Sequence, residues 1–215
     1  MRNRDLAVHN YKRFCALDGS DYIASEFALE TILKIIKKFN VNTILELGLG
    51  IGSISDTVLK YSKKDNKKIS YVGTEKNEFC LNALKKNIID YDHIELYAEL
   101  NQIENNKFDL IIIDGYDDTL KEIAVFCKKN TIIFIEGDRK GQTETVREIF
   151  PKSKYVNVIS LNKNKPYVHG HSPTSHYVGG GQLIFTNPTF KMNVFWFRQK
   201  SITYVKNKIR IFKSA

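Results

Sequence analysis

Between residues 22 and 150, short apolar runs alternate with stretches whose apolar residues recur every three or four positions, the marks of buried strands and amphipathic helices. In SEFALETILKIIKKF (25–39), Ala28, Ile32, Ile35, Ile36 and Phe39 share one helical face, and the lysines gather near the C-terminal end, where they complement the helix dipole. A strand TILEL (43–47) follows, then a helix SISDTVLKYS (53–62) whose Ser53 and Asp56 are spaced as a capping box, then a strand SYVGTE (70–75). The pattern continues with a helix over 77–88 and strands HIELYAE (93–99) and FDLIIID (108–114). The last of these is apolar on both faces, as a central parallel strand covered by helices should be. A helix is predicted around Leu120, Ile123, Ala124 and Cys127, a strand over TIIFIE (131–136), a helix over 142–150, and strands over YVNVIS (155–160) and GQLIFTN (181–187).

This alternation predicts a doubly wound α/β sheet, in which ligands sit beyond the carboxyl ends of the strands. Glu46, Glu75, Glu99, Asp114 and Glu136 all fall at or just past such ends, so five acids are expected on one rim.

Length and composition suit one domain over 1–215: a helical segment 1–40, a core 41–188 and a basic extension 189–215. The beginning of the chain has no apolar stretch suited to a signal peptide and no eighteen apolar residues run together, so a soluble, cytoplasmic protein is expected. Cys15, Cys80 and Cys127 are odd in number and widely spaced, which reads as core thiols rather than a disulfide framework or a structural zinc. The charge of +9 is unevenly placed: residues 149–215 hold eleven Lys or Arg and no acid, while the first 148 carry 22 basic and 24 acidic groups.

The first strand runs into ILELGLGIGSIS (44–55), with Gly48, Gly50 and Gly52 at alternate positions after Glu46. A dinucleotide fingerprint needs glycine where Ser53 stands, and a carboxylate at 46 would repel a pyrophosphate but suit a ligand amine. With its acid and three alternate glycines, the stretch resembles the first motif of the class I S-adenosylmethionine-dependent methyltransferases, particularly the O-methyltransferases. The resemblance spans roughly residues 25–188 and implies a Rossmann-like, mostly parallel seven-stranded sheet with an antiparallel last strand. It also implies that Glu46, Gly48, Gly50 and Gly52 hold S-adenosylmethionine. Glu75, with Lys76 beside it, stands where the family places the acid that takes both ribose hydroxyls; an ionised carboxylate has the two acceptor oxygens that a vicinal diol matches. Glu99 falls where the family often places an acid near the adenine amino group, or is simply a solvated loop acid, and Asp114 in IIIDG resembles the fourth motif, which borders the methionine end and the reaction centre.

A hydroxyl acceptor has to lose a proton to a base or a metal-bound oxygen. Asp114, Glu136 and Asp138 form one candidate constellation. In divalent-cation-dependent O-methyltransferases such acids hold magnesium, but Gly137 here separates two ligands that are usually adjacent, so Asp138 is alternatively a base or a partner of Arg139. The loop KPYVHGHSPTSHYVGGG (165–181) is the other, with His169, His171 and His176 as bases, acceptor contacts or a three-histidine zinc site; it is expected to close over the acceptor. The resulting expectation is O-methylation of a small molecule, a sugar or another bacterial metabolite, catalysed through Asp114, Asp138, His171 and His176. An RNA methyltransferase and a non-catalytic S-adenosylmethionine-binding scaffold are the alternatives.

In the basic extension Ile202, Val205, Ile209 and Phe212 recur at helical spacing with Lys206, Lys208, Arg210 and Lys213 off that stripe. This predicts a basic amphipathic helix that packs on the domain or a second subunit, or meets an anionic surface: a membrane, a phosphate-bearing carrier or, less readily, nucleic acid.

Overall fold

The computed structural model describes residues 2–104, 106–167 and 173–214. Among these residues seven strands form one sheet in the order β3-β2-β1-β4-β5-β7-β6. They are β1 (Thr43–Leu47), β2 (Ser70–Thr74), β3 (Ile94–Tyr97), β4 (Phe108–Ile113), β5 (Cys127–Glu136), β6 (Lys154–Val158) and β7 (Gly181–Phe185). β7 runs antiparallel to both its neighbours and the other six run parallel. The Rossmann-like arrangement implied by the motifs is therefore the one observed. The strand order reverses between β2 and β4 on either side of β1, which opens a crevice at the carboxyl end of β1.

Among the described residues six α-helices accompany the sheet: α1 (Asn3–Cys15), α2 (Glu26–Phe39), α3 (Ser53–Lys64), α4 (Glu78–Asn87), α5 (Lys140–Ile149) and α6 (Phe190–Ser214). The period-two geometry of a strand sends alternate residues to opposite faces. Leu110 and Ile112 join the core built with α1, α2 and α3, whereas Ile111 and Ile113 join the one built with Val146 of α5. Both faces are covered, which is why the central strands carry no alternating polar positions.

Two local expectations give way. Residues 120–126 form a 3-10 helix rather than an α-helix, and its buried residues Leu120, Ile123 and Phe126 recur every third position, the repeat of that tighter helix. Cys127, assigned to this helix by its spacing, instead begins β5. The Ser53–Asp56 capping box does not form either, because Gly52 takes the N-cap position of α3. Ser53 Oγ accepts a hydrogen bond from the Ala24 N–H at 3.1 Å. Asp56 instead receives Arg13 and Lys60, each at 2.7 Å, and so ties α1 to α3. Asp56→Ala should accordingly leave two part-buried cations without their shared partner and destabilise by about 2–3 kcal/mol, below the full cost of a wholly buried pair because both cations keep some solvent. A denaturant midpoint equal to that of the unaltered protein would refute this role.

The basic extension is a helix, as its spacing predicts, but with a different inner face. Trp196 Nε1 donates to the Tyr155 carbonyl at 2.7 Å, Thr203 Oγ1 to Asn157 at 2.6 Å, Lys206 Nζ to Ile159 at 2.6 Å, and Arg210 Nε to Ser160 at 3.0 Å. β6 is an edge strand, and α6 caps the carbonyls that the edge and the residues following it would otherwise leave open. Lys206 and Arg210 thus face inward, and Val205 and Phe212 of the expected packing stripe are 55% and 86% exposed. Nearer its start, α6 packs Phe195 edge-on to Phe39 and Phe185, at 5.3 and 6.2 Å between ring centroids.

Candidate functional site

The crevice at the end of β1 opens into a cavity of about 890 Å3, a size that fits a cofactor-scale ligand. Its floor is shaped by the glycine turn. Gly48 has φ +84°, and a Cβ there would lie 2.4 Å from Gly115 Cα. The loops after β1 and β4 therefore touch backbone to backbone. At Gly50 a Cβ would lie 2.5 Å from the Tyr22 carbonyl oxygen, so the segment before α2 crosses directly over the turn.

Glu75, just past β2, is held by three backbone donors. Its Oε2 accepts from Gly50 N–H at 2.8 Å, and its Oε1 from Lys76 at 2.9 Å and Asn77 at 2.8 Å. An ionised carboxylate offers about four lone-pair sites, so the group is fixed in place with acceptor capacity left for a ligand hydroxyl. Lys76 reaches away to Glu99 at 3.1 Å. Glu99 lines a smaller cavity of about 100 Å3 next to the first, which shares Gly48, Glu75, Lys76 and Tyr116 with it.

Glu46 is placed otherwise than its motif suggests. It is fully buried and absent from the cavity wall. The Tyr71 hydroxyl donates to Oε2, while Oε1 has no hydrogen-bond partner among the described residues. Burial pushes its pKa well above the carboxylate range, against the Tyr71 hydrogen bond, and the charges of Asp114 and Glu75 push it further. Buried under the turn and off the cavity wall, Glu46 does not meet a ligand amine at the cavity surface directly. Gly52 likewise stays off the wall; it starts α3.

Another part of the cavity wall is built by the residues after β4 and β5. Asp114 and Glu136 both line it, with Arg139 between them: Arg139 Nη2 lies 3.3 Å from Asp114 Oδ1 and also donates to the Asp114 carbonyl, and its Nε donates to the Glu136 carbonyl at 3.1 Å. Ser25, which also caps α2, donates its N–H to Glu136 Oε1 at 3.2 Å. Burial, reinforced by the negative charge of Glu136, raises Asp114 to about 7, with Arg139 opposing. Glu136 is raised by burial in turn, opposed by Ser25 and Arg139.

Asp138 is exposed and outside the cavity, and Arg139, its expected partner, is bound to Asp114 instead. The structure therefore separates Asp138 from the other two acids. Among the described residues no group of three or more His, Cys, Asp or Glu could hold a metal ion. Arg139 already supplies a positive charge where magnesium would be needed.

His176 lines the cavity mouth, and its loop is tied to the strand-like residues before it, with Asn164 N–H donating to the His176 carbonyl at 2.9 Å and Val178 N–H to Asn162 at 2.9 Å. His169 and His171 lie outside the described residues, and with them the three-histidine zinc reading. Sequence reasoning missed the contribution of Tyr22, Ser25 and Tyr177. The first two come from the turn before α2, which has no motif of its own. Tyr177 lines the cavity with a buried hydroxyl that has no hydrogen-bond partner among the described residues.

No protein-family model matches the chain, and no curated protein matches it. Solved structures do. The O-methyltransferase from Bacillus cereus, solved with S-adenosylhomocysteine, superposes with a TM-score of 0.55 at 12% identity over 84% of this chain and 90% of that one. An O-methyltransferase of tomaymycin synthesis from Streptomyces achromogenes, solved with S-adenosylmethionine, gives 0.55 at 12% identity, covering 86% and 89%. A methyltransferase from Podospora anserina, bound to S-adenosylhomocysteine, gives 0.51 at 14% identity, covering 84% and 87%. With its seven-stranded order, its antiparallel β7 and its glycine turn beneath the crevice, the chain has the fold of the class I S-adenosylmethionine-dependent methyltransferases.

Proposed function

We propose that the protein is a methyltransferase that uses S-adenosylmethionine to methylate a hydroxyl of a small polyhydroxylated molecule such as a sugar. The observation that carries this reading is the juxtaposition, in one cavity, of a clamped carboxylate at Glu75 and a carboxylate at Asp114 raised to about 7. The cradle fits the cofactor: Gly48 and Gly50 stand where a Cβ would strike backbone, Glu75 has an acceptor site left for a ribose hydroxyl, and the Ala98–Glu99 side cavity adjoins it for a base. When bound, S-adenosylmethionine supplies an electrophilic methyl on sulfonium.

The chain's own residues then do two things. Asp114 accepts the proton of the acceptor hydroxyl as the oxygen gains its methyl, and a base with a value near neutrality is suited to that exchange. Arg139 keeps the Asp114 carboxylate oriented. On the acceptor side Tyr11, Tyr177, Asn164 and His176 combine ring faces with polar tips, which suits a sugar ring's apolar face and hydroxyl rim. A polyanionic RNA acceptor fits less well, because Asp21, Glu75, Asp114 and Glu136 line the same space.

The test is calorimetry with S-adenosylhomocysteine. Glu75→Gln replaces an oxygen by an amide donor that must face one or more of the three backbone N–H groups now bound there, and binding should weaken roughly ten- to a hundredfold. Undiminished affinity in that variant would remove the ribose clamp from the proposal, and no binding by the unaltered protein would remove the transferase reading.

A further inference from the structure

The outward face of α6 remains unaccounted for by the sheet it caps. At 3.6 residues per turn, Phe190, Val194, Phe197, Tyr204, Val205 and Phe212 fall within about 60° of one direction, opposite the side that carries Met192, Phe195 and Lys206. Each of the six is more than half exposed: 86, 55, 67, 64, 55 and 86% in that order. The row runs for about 33 Å at the helical rise. Arg198 and Lys191 border it on one flank and Lys200 on the other, and Lys208 stands within it; all four are exposed.

An isolated exposed aromatic needs no explanation, but six exposed apolar side chains on one face of a single helix do. Its chemistry narrows the occupant. The helix has seven cations and no acid, and the sequence has no Asp or Glu after Glu148. Pairing two copies of this face would set Arg198, Lys200 and Lys208 against cations with no acid on the helix to answer them. Nucleic acid would satisfy the cations but gives no reward for exposing Val194, Val205 and Phe212. An anionic lipid surface answers both, since apolar side chains enter the acyl boundary while flanking Lys and Arg remain at the headgroups.

A second feature lies on the Lys200 flank. Arg147, Lys154 and Lys200 line a groove of about 400 Å3 that has no acid among its lining residues. Lys154 and Lys200 both stand over the Trp196 ring, at 5.2 and 5.1 Å from its centroid. A lipid phosphate is the anion such a groove would meet beside a helix lying in the interface.

We infer that α6 seats the protein on an anionic membrane surface, with Phe190, Val194, Phe197, Tyr204, Val205 and Phe212 in the acyl boundary and Arg198, Lys200 and Lys208 at the headgroups. Arg210 of the same helix stacks on Tyr177 at 4.3 Å, so the lipid-facing helix and one wall of the cavity are directly joined.

The experiment is co-sedimentation of the full chain with vesicles of phosphatidylcholine and phosphatidylglycerol, about three to one, against pure phosphatidylcholine. The unaltered protein should pellet with the mixed vesicles at low salt and be released as salt rises. Phe197→Ser with Phe212→Ser should lower partitioning at least tenfold. Arg198→Gln, Lys200→Gln and Lys208→Gln together should lower it on the order of a hundredfold, toward the level on neutral vesicles. Because all five side chains are exposed, the thermal midpoint should not move in either variant, which separates lost docking from lost folding. Failure of the unaltered protein to pellet with mixed vesicles at low salt would overturn the inference, as would an unchanged partition in the phenylalanine variant. A sedimentation-equilibrium dimer that dissolves in the phenylalanine variant, with no vesicle binding, would assign the face to a second copy. Binding of mixed RNA that depends on the three cations but not on the phenylalanines, again without vesicle binding, would assign it to nucleic acid.

Discussion

Asp114→Asn should lower turnover by about 10²- to 10⁴-fold while leaving S-adenosylhomocysteine affinity within a few-fold of its original value, because the substitution keeps the shape of the side chain and removes only its basicity. The amide oxygen can still accept from Arg139, so the hydrogen-bond partner at 3.3 Å need not be lost. The pH dependence makes the test sharper. Asp114 is raised from its ordinary value of 3.8 to about 7, chiefly by burial and by Glu136. A base must be ionised to act, so kcat/KM should climb as pH rises through about 7 and level off above it, and that limb should vanish in the variant. Stability should move the opposite way. The folded state holds the Asp114 proton more tightly than the unfolded chain, so this group's contribution is fully present below about 3.8 and is lost as pH rises through about 7. Asp114→Asn should therefore flatten the fall in thermal midpoint across that window and melt higher than the unaltered protein at pH 8. A variant that keeps full turnover, or a pH limb that survives the substitution, would move the base elsewhere in the cavity, with His176 at its mouth the next residue to replace.

The strand tips were legible in the sequence because their causes are local. TILEL, SYVGT and FDLIII are apolar runs stopped by glycine or acid, and the structure ends β1, β2 and β4 within a residue of the predicted positions. The residues that follow those strands are thereby fixed in space, which is why Glu75 and Asp114 could be placed at the cavity before its shape was known. What depended on a long-range partner was not legible. Ser53 looked like a cap until the Ala24 N–H took its hydroxyl, and Asp56 until Arg13 and Lys60 took its carboxylate. Glu46 reads as a ligand acid by its motif, yet Tyr71, 25 residues on, holds it below the turn. The extension was misread for a related reason. Periodicity counts Lys206 and Arg210 as solvent-facing, but their long side chains reach the open carbonyls of Ile159 and Ser160 and turn the helix over. Only the edge position of β6 makes that favourable, and sheet order is not a property of any short window.

The same long-range logic gives Gly48→Ala the largest expected effect on the fold and the cofactor cradle together. Two penalties combine at this position. The backbone has φ +84°, in the left-handed region that costs an L residue about 1–2 kcal/mol. The new methyl would also lie 2.4 Å from Gly115 Cα and 2.6 Å from Gly115 N, both backbone atoms that no rotamer change can move away. Gly48 and Leu49 donate to the Thr74 carbonyl at 3.1 and 3.0 Å, so a shift of the turn away from Gly115 would strain its attachment to β2, where Glu75 begins. The loss should be at least about 3 kcal/mol, which for a chain of 215 residues is roughly a 6–12 °C fall in thermal midpoint. S-adenosylhomocysteine affinity should fall with it, since moving Gly50 disturbs the N–H that holds Glu75. Gly137→Ala is the matched control: its φ is +70°, but a Cβ there meets nothing within 4 Å, so it carries the conformational penalty without the collision. The difference between the two variants isolates the close approach of the β1 and β4 loops. If Gly48→Ala melted with Gly137→Ala and bound the cofactor product as well, the contact between those loops would not be what shapes the crevice.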